Sequence, residues 1–65
     1  MNAAVRRLIT VEQLAEAMGW KPRTVYQKVW RREIDHVKLG RSLRFRAELV
    51  EELISRGTVP ATEAR

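Results

Sequence analysis

Residues 20–32 read WKPRTVYQKVWRR. Pro22 suits the first position of a helix, where its missing N–H is one that the helix start leaves unpaired anyway. A helix is predicted over about 22–31. At about 100° per residue, Val25 and Val29 share one side with Pro22 and Tyr26, and Trp30 falls at the edge of that side. Thr24, Gln27, Lys28 and Arg31 share the opposite arc, flanked by Arg23 and Arg32. No acid stands at i+4 within the helix to pair these bases. An arc of this chemistry suits a DNA major groove, which admits one α-helix and offers base edges and phosphates to Arg, Lys, Gln and Thr. Arg23, Thr24, Gln27, Lys28 and Arg31 are the expected contact set. Gln27 could pair with adenine, and Arg23 or Lys28 with guanine.

Upstream, Thr10 and Gln13 form a predicted capping box, with Glu12 in the first turn where the helix dipole favours an anion. Val11, Leu14, Ala15 and Met18 make one apolar stripe, and Gly19 can stop the helix. Trp20 and Lys21 then form a tight turn, with Trp20 expected beneath it. Two short helices joined by a short glycine-containing turn make a helix-turn-helix pattern. Leu8 and Ile9 read as an extended piece that packs on the domain. Residues 1–7 read as an arm whose Arg6 and Arg7 are solvated.

Downstream, His36 to Arg46 alternates with period two, which predicts a hairpin. A two-residue loop at Gly40–Arg41 would pair Lys38 with Leu43 and Val37 with Arg44. A three-residue loop, Gly40–Arg41–Ser42, would pair Leu39 with Leu43 and Val37 with Phe45. The second keeps apolar residues together and is the expected register. It sets Lys38 opposite Arg44 and His36 opposite Arg46. Like charges so placed are mildly destabilising unless an anion covers them. The ribbon therefore reads as a wing on a DNA backbone or minor groove. Arg41 stands at its tip and Arg44 on its basic face, with Lys38, Ser42 and Arg46 beside them. Tyr26 could place its hydroxyl on a phosphate, or serve only as a boundary residue. Trp30 either caps the core or contacts a second copy.

A third helix is expected from about Ala47 to Arg56, with Leu49, Val50, Leu53 and Ile54 as its stripe and Gly57 as its stop. Residues 1–57 form the expected domain and 58–65 a flexible tail.

The 65-residue chain carries 13 basic and 8 acidic residues, for a formal charge of +5. Their placement says more than their sum. Residues 21–46 hold nine of the basic residues against only Glu33 and Asp35. A basic middle between neutral and acidic flanks is a footprint for a polyanion. No cysteine is present, which fits a reducing cytoplasm. No apolar run approaches the roughly 20 residues of a membrane span, and no signal-peptide core stands at the start. His36 is the only histidine and has no acid at ligand spacing, so no metal site is expected. No base is placed for Thr10, Thr24, Ser42 or Ser55 as a nucleophile, and no phosphate-binding glycine loop occurs. An enzyme is not expected, and no cofactor is implied. A different class, a module whose basic face meets an acidic protein or a membrane, would differ in its response to salt.

The span Leu8–Ile54 resembles the excisionase/MerR-type winged helix-turn-helix family. The residues that carry the resemblance are LITVEQLAEAMG (8–19), Thr24–Tyr26, VKLGRSLRF (37–45) and AELVEELI (47–54). It implies a mostly α fold of three helices with a small β-hairpin wing, helix two in the major groove and the wing in the minor groove. By match, those roles fall on Arg23, Thr24, Gln27 and Arg41–Arg44. Small stand-alone members include phage excisionases, which bind repeated sites, bend the DNA and act with an integrase. Others are small transcriptional regulators of the MerR/AlpA kind. Double-stranded DNA, an integrase and further copies of the chain are the implied partners, in a bacterial cytoplasm. The chain departs from the family pattern at Lys21, where a capping serine is common, at Arg32, where glycine is common, and at Asp35, where proline is common. Lys28 and Trp30 also replace the more usual leucine and arginine, and this points to an exposed Trp30.

Overall fold

A computed structural model describes residues 7–61. Residues 1–6 of the arm expected over residues 1–7, Arg6 included, and the last four residues of the expected tail lie outside the described residues. The element order is β1 (Leu8–Thr10), α1 (Val11–Met18), α2 (Pro22–Trp30), β2 (Val37–Leu39), β3 (Ser42–Arg46) and α3 (Glu48–Gly57).

α1 begins as its capping box dictates. The Gln13 amide donates to Thr10 Oγ1 at 3.0 Å, and the Thr10 amide donates to Gln13 Oε1 at 2.9 Å. Gly19 ends it at φ +72°. The amides of Gly19 and Trp20 then reach back to the carbonyls of Glu16 and Ala15, which closes a Schellman motif. α2 ends the same way without a glycine. Arg32 takes φ +59°, and the amides of Arg32 and Glu33 donate to the carbonyls of Val29 and Lys28. At the other end of α2, Lys21 supplies no side-chain cap.

The strands form one antiparallel sheet in the order β1-β3-β2. The extended piece at Leu8–Ile9 is thus a third strand, which pairs Ile9 with Phe45 and Leu8 with Arg46. The hairpin register differs from the expected one. Val37 faces Arg44, Lys38 faces Leu43 and Leu39 faces Ser42, around a two-residue turn at Gly40–Arg41. Gly40 has φ +62° at the first central position, as a type II′ turn needs, and two-residue turns of this kind match the twist of the flanking strands. The expected register assumed that all four apolar residues share one buried face. Only β3 meets that condition, because it is central and packs on α1. β2 is an edge strand with no core to satisfy, and Leu39 is 53% exposed. Lys38 therefore lies on the core-side face with Leu43, while Val37 lies on the outer face with Arg44. The expected pairing of Lys38 with Arg44 and of His36 with Arg46 is not made.

The core consists of Val11, Leu14 and Ala15 from α1, Val25 from α2, Phe45 from β3, Leu49 from α3 and Ile34 from the α2–β2 connection. Ile34 sits outside any periodic segment, and no pattern in the sequence marks it. Trp20 packs against this cluster, as do Met18, Val29 and Leu43. Tyr26 and Trp30, which helical spacing sets on the side of Val25 and Val29, are 48% and 87% exposed, so Trp30 does not cap the core. On α3, Leu49 is buried but Ile54 is 46% exposed. Gly57 does not leave the helix; Thr58 is the C-cap, and its hydroxyl donates to the Ile54 carbonyl at 2.6 Å. Arg46 ties three parts together, lying 3.9 Å from Asp35 in the connection and 3.6 Å from Glu52 on α3.

Candidate nucleic-acid interface

Arg23, Tyr26, Gln27 and Trp30 stand at i, i+3, i+4 and i+7 of α2, and all four are exposed. Arg31, one step beyond, is exposed as well. This stripe is the outward surface of the helix. Thr24 and Lys28 occupy its flank and are half-buried. Lys28 is further engaged: its Nζ lies 3.4 Å from Glu33 Oε1 and 4.8 Å from the centroid of the Trp20 ring. Arg31 also approaches Glu33, at 4.0 Å. An acid partner was not visible within the helix because Glu33 lies just past its end, where the Schellman motif folds it back.

The wing meets the same side of the molecule. A cleft between α2 and the hairpin is lined by Tyr26 and Trp30 on one wall and by His36, Lys38 and Arg41 on the other, with Arg32 at the junction. Arg41 stands in the turn and Ser42 beside it, both exposed. Arg44 is on the opposite face of the sheet from Lys38, half-buried, and its Nη1 donates to the Leu43 carbonyl at 2.9 Å. Arg46, held by two carboxylates, is the most structurally committed of the basic residues in the wing. Among the described residues no ion pair involves Arg23, Arg32, Lys38 or Arg41.

Of the residues expected to meet DNA, Arg23, Gln27 and Arg31 are exposed on α2, while Lys38 and Arg41 are exposed on the wing and line the cleft. Arg32 and His36 join them at the cleft, and Trp30 joins the outward stripe. The heptad-like spacing of Arg23, Tyr26, Gln27 and Trp30 was the available signal for that stripe.

A helix-turn-helix domain family matches residues 8–58, more than three quarters of the chain. The chain belongs to this family. With three helices and a small antiparallel sheet, it has the architecture of a winged helix-turn-helix domain, a DNA-binding family whose members are typically not enzymes. No curated protein and no solved structure matches the chain. Among the described residues, no helix is long and apolar enough to cross a membrane, and no cluster of three or more His, Asp or Glu side chains could hold a metal ion.

Proposed function

We propose that this helix-turn-helix domain is a sequence-preferring DNA-binding and DNA-bending protein that acts as an excisionase beside an integrase. One observation carries the interface: Tyr26 and Trp30 of the exposed α2 stripe and Lys38 and Arg41 of the wing line one cleft, with Arg32 between them. α2 enters the major groove through Arg23, Gln27 and Arg31, with Thr24 and Lys28 on its flank. The wing follows the backbone or the minor groove through Lys38, Arg41, Ser42 and Arg44, and Tyr26 reaches a phosphate. Arg46 contributes field more than contact, since Asp35 and Glu52 already hold it.

The excisionase role draws on the resemblance of residues 8–19, 24–26, 37–45 and 47–54 to the excisionase/MerR-type family, which also holds small transcriptional regulators. Bending a site of about 20–30 base pairs costs on the order of 1–6 kcal/mol. A domain this small makes few contacts to offset that cost, so several copies bind adjacent repeats. Footprinting across a candidate attachment site, at rising protein concentration and with a bend assay on the same fragment, tests the reading. Stepwise protection of neighbouring repeats with a growing bend supports it. One isolated protected site, no bend and no change in excision on deletion, with altered transcription, would assign a small regulator of the MerR/AlpA kind instead.

A further inference from the structure

Arg32 is the only non-glycine residue at positive φ among the described residues. The position ends α2 through a Schellman motif, where glycine meets no steric penalty and an L side chain crowds its own carbonyl. α1 uses glycine at the equivalent point, Gly19. An outlier of this kind persists when the surroundings hold it and the side chain has a use there. No acid explains it, because Arg32 takes part in no ion pair among the described residues.

Its surroundings suggest the use. Arg32 stands where the two walls of the cleft meet, with Trp30 on the helix wall and Lys38 and Arg41 on the wing wall. The cleft lining contains no carboxylate. Asp35, on the same connection, lies 3.9 Å from Arg46 instead. Trp30 is 87% exposed, so this anion-seeking cleft also has an aromatic wall. If α2 lies in a major groove and the wing in the adjacent minor groove, the strand between the grooves must run through this cleft. We propose that the cleft seats one sugar–phosphate strand of the duplex, with Arg32 and Lys38 on its phosphates and the Trp30 indole against a deoxyribose. This rests on the DNA-binding reading above. It sets aside Trp30 as a symmetric contact between copies, because such a contact would bring Arg32, Lys38 and Arg41 of two chains together.

The seat holds backbone, so it acts on any sequence. The experiment is a salt titration of binding to a mixed-sequence duplex of about 20–30 base pairs, comparing the wild type with Arg32→Gly, Arg32→Lys and Trp30→Ala, each also followed by thermal unfolding and sedimentation. Arg32→Gly should unfold at the same temperature or higher, yet bind more weakly, with the slope of log K against log salt shallower by about 0.9. Arg32→Lys should restore the slope. Trp30→Ala should unfold as the wild type does and bind about fivefold more weakly, with the slope unchanged because indole carries no charge. The opposed effects on stability and affinity separate a ligand contact from a structural role. Unchanged affinity and slope in Arg32→Gly would overturn the proposal. So would a change of oligomeric state in Trp30→Ala with DNA affinity intact, which would make the cleft a protein contact. A wild type that does not bind the duplex, even at low salt, would instead refute the DNA-binding reading itself.

Discussion

Lys28 reaches across the end of α2 to Glu33: Nζ and Oε1 are 3.4 Å apart, and the two residues are also joined by the Glu33 amide on the Lys28 carbonyl at 2.9 Å. A Schellman motif often places a hydrophobic contact at this point. Here an ion pair takes the place, and it draws the α2 cation Lys28 toward Trp20 and away from the outward stripe. The pair is partly exposed, with side chains 30% and 43% accessible, so its own contribution is small, about 0–1 kcal/mol. Glu33→Gln should therefore leave the unfolding midpoint nearly unchanged. It should raise DNA affinity several-fold, because Lys28 is released and a negative charge leaves the interface. Binding by fluorescence anisotropy beside a thermal melt checks both parts, and a lower affinity would contradict the placement of Lys28.

Lys21 precedes Pro22 with extended backbone and no capping side chain. A serine there can accept from an amide in the first turn, which stabilises a helix start by about 1 kcal/mol. For a domain of this size that corresponds to a rise of roughly 4–8 °C in Tm. Lys21→Ser should show this rise by calorimetry. An unchanged or lower Tm would mean that the lysine already stabilises the turn in another way.

Phe45 is fully buried on the central strand, against α1 and opposite Ile9. Truncating such a side chain costs about 3–5 kcal/mol. A core of this size supplies hardly more than about 3–5 kcal/mol in total. Phe45→Ala should lose its cooperative thermal transition by circular dichroism. A folded variant with a sharp transition would place more of the stability elsewhere.

Two glycines should respond to alanine with opposite signs. Gly40 sits at φ +62° in the hairpin turn, where alanine is strained by roughly 1–2 kcal/mol. Gly57 ends α3 without a positive φ, and an added Cβ meets nothing within 4 Å. Gly57→Ala should stabilise by about 0.4–1 kcal/mol, through reduced freedom of the unfolded chain. Denaturant unfolding of the two variants decides the matter. The same register can be read by NMR, since cross-strand contacts should join Leu39 to Ser42 rather than to Leu43.

Much of this structure is written locally. Thr10 and Gln13 specify the start of α1, Gly19 its end and Pro22 the start of the next helix, because each acts on backbone groups within four residues. The hairpin was legible as a hairpin but not in register. Its four apolar residues read as one buried face, whereas only the central strand has a core beneath it. Ile34 is buried from a connection with no period to reveal it. Tyr26 and Trp30 stayed open between core, boundary and contact roles, because helical spacing sets them on the side of Val25 and Val29 as well as at i+3 and i+7 from Arg23. Glu33 could not be seen as the partner of Lys28, because that contact depends on a left-handed residue that sequence rules assign to glycine and this chain gives to Arg32.

The most direct measurement is backbone amide chemical-shift mapping during titration with a short duplex at low salt. The largest changes should fall on Arg23 to Arg32 and on His36 to Arg44, with the exposed acids Glu12 and Glu16 of α1 and Glu48 and Glu51 of α3 left unmoved. Changes centred on α1 or α3, or no changes at all, would contradict a DNA interface formed by α2 and the wing.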